Sequence, residues 1–378
     1  KSMKVLFMAN IPSPYRVDFF NELGKYCDLT VTFEGRTATD RDEKWRAAES
    51  KNFKAQFMKG IRTKSDQFLC LEIIKVIKSG FDRIIVGGYS TPTAMLAIEY
   101  MRLHKIPFWI EADGGLISQD SSLKYRIKHH FISAASEWLS SGKVTTEYLI
   151  HYGAQKERIY EYPFTSLKEK DVALRISDSQ EKKYLKEKLG LNGDGIIISV
   201  GRFSYLGGYG KGFDVLLKAM KRCPSYGLYI IGDTPTQEFI DMKKEHGLSN
   251  VYFEGFKNKD ELKNYYRAAD LFCLQTRGDV WGLVINEAMA EGLPVITTNK
   301  CVAGLELVEN GINGYIVPVE DEEKLLKKIT KIMQNVELRK KMEQNSLNKI
   351  KKYTIENMAK AHIKAFEGEK NVTIGSGK

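Results

Sequence analysis

The sequence is poor in cysteine and has no long apolar run. Its five cysteines, Cys27, Cys70, Cys223, Cys273 and Cys301, are odd in number, scattered over 378 residues and never arranged as CxxC. That argues against a disulfide framework or a zinc site and makes a reducing cytoplasm the expected compartment. No apolar run approaches the ~18 residues needed to cross a bilayer. The opening KSMKVLFMANIPSP reaches Pro12 after one short apolar run, so no secretory signal is read there. Neither a P-loop nor GxGxxG occurs, which weakens nucleotide triphosphatase and dehydrogenase readings. His129 and His130 lack a ligand spacing. Asp40 and Asp42 have DxD spacing but lie in a polar stretch and not at a strand end. No metal site is expected.

What is present is ordinary globular composition, 43% hydrophobic and 28% charged, with a formal charge of +10. That charge favours anionic partners without choosing among phosphates, nucleic acid and an acidic membrane surface. The length predicts two domains. Short apolar runs alternate with helical patterns in two blocks: MKVLFMANI, LTVTFE, FDRIIVGGY and IPFWIEADGG in the first, GIIISVGRF, YGLYIIGD, NVYFEGF, ADLFCLQT, LPVITTN and GYIVPV in the second. This alternation predicts an α/β fold of two doubly wound parallel sheets. The expected organisation is a Rossmann-like domain over 1–165, a charge-rich linker over 166–194, and a second Rossmann-like domain over 195–354. A last helix near 355–370 belongs to either domain, and periodicity does not decide which.

Open parallel sheets bind ligands outside the carboxyl ends of their strands, so residues just after strands are the candidates. Arg202 follows IIISVG. Then come Gly207, Gly208, Gly210, Lys211 and Gly212, before a helix near Asp214. Glycines let a backbone approach a pyrophosphate, a helix start favours negative charge, and Arg and Lys add charge-assisted hydrogen bonds. A solvated basic loop is the alternative. In GDVWGLVINEAMAEG, Asp279 and Glu287 bracket an apolar stretch. Val280 to Leu283 would form the next turn, with free amides at the start of a helix that suit hydroxyl or phosphate oxygens. A carboxylate at Glu287 can accept two hydrogen bonds from adjacent hydroxyls. A helix-terminal charge for Asp279 and an ion pair for Glu287 are the plainer readings.

That segment resembles the E-x(7)-E signature of the retaining GT-B glycosyltransferases of family four. VGRFSYLGGYGKGFDVLLKAM, VYFEGFKNKDELKNYYRAADLFCLQT, EAMAEGLPVITTN and VENGINGYIV fit the same family in order, and NIPSPYRVDFFNEL resembles the start of bacterial surface-polysaccharide members. The resemblance implies two lobes facing across a cleft and a nucleotide-sugar donor, UDP-linked by preference, held by the C-terminal domain. No metal and no other cofactor is implied. Arg202 and Lys211 would neutralise the diphosphate, Glu287 would bind the ribose, Asp279 the sugar with help from amides around Trp281, Gly282, Leu283 and Val284, and Phe256 would lie near the base. The acceptor would be a glycan or lipid-linked hydroxyl. Ser13, Tyr15 and Arg16 would lie on the acceptor or phosphate side. The basic segment 124–131 is a candidate contact with an anionic membrane, which would make the protein peripheral on its inner face. Two departures stand out. Asp279 replaces the usual Glu, and Glu111-Ala112-Asp113 stands where many relatives carry a His, making Glu111 and Asp113 candidates for the reacting centre. A nucleotide-sugar epimerase of the same fold is the neighbouring alternative. A non-enzymatic nucleic-acid binder is suggested by charge alone, with no recognition motif, and no nucleic-acid partner is expected.

Overall fold

A computed structural model of the chain describes residues 2–35, 50–64 and 67–370. Asp40 and Asp42 lie outside these. The chain forms two compact units, one of residues 1–166 with 353–378, the other of residues 167–352.

The first unit runs β1 (Lys4–Ala9), α1 (Pro14–Leu23), β2 (Asp28–Phe33), β3 (Lys54–Phe57), β4 (Ile61–Lys64), β5 (Gln67–Leu69), α2 (Ile73–Lys78), β6 (Arg83–Gly87), α3 (Pro92–Leu103), β7 (Trp109–Ala112), α4 (Ser122–Ile132), β8 (Glu137–Ser140), α5 (Lys143–His151) and β9 (Ile159–Glu161). Its main sheet is parallel throughout, in the order β3-β2-β1-β6-β7-β8-β9, and β4 and β5 form a separate antiparallel pair. Strand order reverses between β1 and β6, so the segments after those strands flank the switch point of this sheet.

The second unit runs α6 (Ser179–Leu189), β10 (Gly195–Val200), α7 (Phe213–Met220), β11 (Tyr226–Ile231), α8 (Gln237–Glu245), β12 (Val251–Glu254), α9 (Lys259–Ala268), β13 (Leu271–Leu274), α10 (Leu283–Ala290), β14 (Val295–Thr298), α11 (Val302–Leu307), β15 (Gly314–Val317), α12 (Glu322–Gln334) and α13 (Val336–Ile350). Its sheet is also parallel, ordered β12-β11-β10-β13-β14-β15. Every residue of β10, β13 and β14 is buried. Helices cover both faces, which is why these strands read as unbroken apolar runs and do not alternate. Sealing side chains such as Ile197, Ile198 and Phe272, all at 0% exposure, contributes about 1.5–3 kcal/mol each. The switch point falls between β10 and β13.

One expectation needs revision. Segment 166–194 is not an open linker: from Leu167 on it is part of the second unit. There α6 is capped by the Asp178 side chain and closed by Gly190 in the left-handed conformation. Leu185 is its one buried residue, and it is fastened mostly by charge, Lys182 to Glu343 at 2.9 Å and Lys186 to Asp270 at 3.3 Å. The last helix, α14 (Ile355–Phe366), belongs to the first unit and packs on α1.

Candidate active site

At the switch point of the second unit, Gly201 and Arg202 follow β10, and Gln275 to Asp279 follow β13. The glycine-rich loop lies between β10 and α7. Gly212 makes its final turn with φ +69°, and a Cβ there would sit 1.8 Å from the Gln275 carbonyl oxygen. Only glycine therefore allows the loop to press against the end of β13. Arg277 holds the loop from the other side. Its guanidinium grips both oxygens of Asp214 at 2.8 and 2.9 Å and donates to the Tyr209 carbonyl at 2.6 Å. The Thr276 hydroxyl donates to the Gly210 carbonyl at 3.1 Å. Asp233, just after β11, accepts from the amides of Phe203 and Ser204 and fixes the start of the loop behind Arg202.

This scaffold brings Lys211 to Asp279, with Nζ 2.6 Å from Oδ2 and each side chain 18% exposed. Lys211 also stands over the Tyr205 ring at 5.4 Å. A half-buried cation and acid are thus neighbours at the carboxyl edge of the sheet. After Asp279 the chain turns through Gly282, φ +102°, where a Cβ would come within 2.8 Å of the Cys301 sulfur. α10 then starts without a side-chain cap. Trp281 is 4% exposed, and its indole donates to Asn286 at 2.8 Å. It anchors the turn and does not present its ring. Leu283, Val284 and Glu287 remain partly exposed on α10, and Glu287 accepts from the Tyr266 hydroxyl at 3.4 Å. Arg202 is exposed, and Phe256, beyond β12, is 40% exposed and so outside the core.

In the first unit a second cluster forms at the carboxyl ends of β1 and β7. Arg16, one turn into α1, reaches Glu111 at 2.7 Å and Asp113 at 3.2 Å. The Tyr162 hydroxyl donates to Asp113 at 2.8 Å. His362, on α14, places Nε2 3.0 Å from the other Glu111 oxygen and Nδ1 2.8 Å from the Met358 carbonyl. Burial works against the Glu111 charge, but Arg16 and then His362 overcome it and hold this carboxyl below the usual range. Burial pushes Asp113 up, opposed by Arg16 and reinforced by Glu111.

The cluster sorts the acceptor-side candidates. The Glu111 side chain is 0% exposed and that of Asp113 29%, so a substrate can reach Asp113, whereas Glu111 is a sealed support. Arg16, 10% exposed, spends both terminal nitrogens on the two acids and does not point outward to a phosphate. Ser13 is buried at the start of α1, and the Tyr15 ring packs 6.1 Å from Phe164. In the basic segment, Lys124 and Lys128 are paired with Asp120. Sequence reasoning missed Asp233, Arg277 and His362. The first two follow or nearly follow strands of the same sheet, which is the signal that singled out Arg202. His362 carried no local signal. Gln275 was also missed. It is 1% exposed, and neither polar atom of its carboxamide has a partner among the described residues.

The paired parallel α/β sheets define the GT-B class of fold. The crystal structure of Anabaena Alr3699/HepE in complex with UDP superposes with a TM-score of 0.77, covering 97% of this chain and 100% of that one at 18% identity. Residues 181–349, nearly the whole second unit, match the family described as glycosyl transferases group 1. The chain therefore has the GT-B fold, and its second unit resembles the glycosyl transferases group 1 family. Among curated proteins, an uncharacterised 41.2 kDa protein in the cps region of Klebsiella pneumoniae is 33% identical over 44% of this chain and 42% of its own length. Alpha-monoglucosyldiacylglycerol synthase of Acholeplasma laidlawii is 30% identical over 48% of this chain and 46% of its own. The chain thus spans about half the length of these curated relatives.

Proposed function

We propose that this chain is a retaining glycosyltransferase that moves a sugar from a nucleoside diphosphate, UDP by preference, to a hydroxyl of a glycan or lipid-linked acceptor in cell-surface polysaccharide assembly. The observation that carries the reading is the Lys211–Asp279 pair at the switch point of the second unit. A cation for the diphosphate stands beside an acid for the sugar. UDP in the Anabaena neighbour, a glucosyldiacylglycerol in the name of the Acholeplasma relative and the cps region of the Klebsiella relative support the donor, acceptor and pathway respectively.

In this reading Lys211 and Arg202 stabilise the charge that develops on the leaving diphosphate, together with the uncapped amides at the start of α10. These groups do the work a divalent cation does elsewhere. Glu287 accepts the two ribose hydroxyls side by side. Asp279, one methylene shorter than a Glu, sits closer to the sugar and accepts from its hydroxyls. The Phe256 ring lies beside the base. Asp113 in the first unit meets the acceptor hydroxyl. The departing phosphate takes the acceptor proton on the face it leaves from, so no protein nucleophile is required. Leu123 and Ile127 on α4 are 69% and 44% exposed, with Lys124 and Arg126 beside them. This face supports contact with an anionic lipid surface, and co-sedimentation with anionic but not neutral vesicles tests it.

The deciding experiment is incubation with a panel of nucleotide sugars, simple glycoside acceptors and excess chelator, with the product analysed by NMR. A new glycoside whose anomeric configuration matches the donor is expected. An inverted product, dependence on added metal, or an epimerised donor formed without acceptor would each contradict part of the proposal.

A further inference from the structure

The buried cluster of the first unit has a consequence for charge that the reaction alone does not require. His362 Nδ1 faces the Met358 carbonyl, which can only accept, so Nδ1 carries a hydrogen. Its Nε2 faces Glu111, which Arg16 holds as a carboxylate. A carboxylate also only accepts, so Nε2 is a donor as well. In that arrangement both ring nitrogens carry a hydrogen, and the ring is buried at 0% exposure.

A largely buried cluster carries net charge at a cost. Arg16 contributes one positive charge and Glu111 one negative. Neutrality leaves one proton for two places, His362 and Asp113. With the proton on His362, Asp113 is a carboxylate. With it on Asp113, the imidazole is neutral. The other groups facing these two are Tyr162, whose hydroxyl donates to Asp113 and whose ring lies 4.6 Å from His362, and the rings of Phe19 at 4.7 Å and Phe366 at 6.3 Å. The Arg16 guanidinium lies 5.5–5.9 Å from the ring centroids of Phe7, Phe19 and Phe20, with Tyr15 a further ionisable neighbour. Burial holds Tyr162 well above its ordinary range, so it stays neutral and supplies no competing charge. α14 is itself fixed at its far end, where the Phe366 carbonyl accepts from Arg83 at 2.9 Å and its ring packs on Trp109. The imidazole is therefore held in place by more than its own hydrogen bonds.

We propose that His362 is a positioning residue that sets the charge of Asp113, holding the Glu111–Arg16 pair in register and taking up the proton that Asp113 gives up. Exchange with solvent at the open side of Asp113 suffices, and no direct wire through Arg16 is invoked. Asp113 thereby meets an acceptor hydroxyl as a carboxylate while the cluster stays neutral. The catalytic part of this rests on the transferase reading above. The proton coupling does not.

The test is ring nitrogen NMR of His362 in the full chain across pH 5 to 9, with the resonance assigned by its loss in His362→Gln. Wild type is expected to show both ring nitrogens protonated near neutrality. Asp113→Asn removes the negative partner and should let the ring lose its proton about one pH unit lower, as expected for loss of a nearby opposite charge. By the reciprocal argument, His362→Gln keeps a donor toward Glu111 but no added charge. It should move the Asp113-dependent limb of the kcat profile up by about the same amount, with donor KM unchanged. An identical His362 titration in wild type and Asp113→Asn, or a neutral ring throughout in wild type, overturns the proposal. Coupled titrations in a chain that transfers no sugar would instead overturn the function proposed above and leave this coupling standing.

Discussion

Single side chains divide the labour, and their burial indicates which of them a ligand can reach. Lys211 and Asp279 are each 18% exposed, accessible yet confined, as groups that meet a charged substrate must be. Replacing Lys211 with Ala removes one charge from the leaving-group site. Turnover should fall by about 10²–10³ with the circular dichroism spectrum unchanged, and undiminished turnover would remove Lys211 from the chemistry. Glu287→Ala removes the acceptor for two ribose hydroxyls. The dissociation constant for nucleotide by calorimetry should rise roughly tenfold or more. Glu34 offers a test of stability. It is 6% exposed and accepts from the Thr91 hydroxyl at 2.6 Å, and burial pushes its carboxyl from 4.5 up to about 7. Its folded value lies above its unfolded one, so the folded chain retains the extra proton between those limits. The stability it contributes is full below pH 4.5 and is lost as pH rises through 7. Glu34→Gln has no such proton to lose. Between pH 5 and 8 its urea stability should decline less than that of wild type, by roughly 2 kcal/mol; parallel declines would contradict the assignment.

At the scale of elements, the glycine loop is the part whose geometry admits least change. Gly212→Ala places a methyl 1.8 Å from the Gln275 carbonyl, at a φ of +69°. The loop must retreat from β13, and the expected cost is at least ~2 kcal/mol in chemical denaturation. A neutral result would mean the loop moves freely. The strands of the second unit were readable because a fully covered parallel strand leaves an uninterrupted apolar run, as GIIISV does. The segments after them became candidates by topology, since a parallel sheet gathers its carboxyl ends on one edge. Other parts left no such trace. β3 to β5, reading KAQF, IRTK and QFL, are short, with no long apolar run and no sustained alternation. α6 read as linker because its attachment is ionic, and ion pairs to residues 84–161 positions away have no period. The Glu111–His362 contact spans 251 positions. One histidine in the last helix could not announce it. Which of two adjacent acids is sealed and which is open, Glu111 or Asp113, depended on where α1 and α14 come to lie.

For the whole molecule, the +10 charge has a specific outlet in the proposed function, because Lys211 and Arg202 face an anionic donor. Among the described residues no helix is long and apolar enough to cross a membrane. Both units carry the same kind of parallel sheet around their switch points, yet they place different chemistry there, a cation beside an acid in one and a neutralised ionic cluster in the other. The central claim is that the second unit holds a nucleotide sugar through Lys211, Asp279 and Glu287. Calorimetric titration of the wild-type chain and Glu287→Ala with UDP-sugars and with sugars on other nucleoside diphosphates tests it most directly. The account predicts saturable binding of at least one donor by wild type and a roughly tenfold or greater loss in the variant. No binding of any donor, or equal affinity in the two proteins, would contradict it.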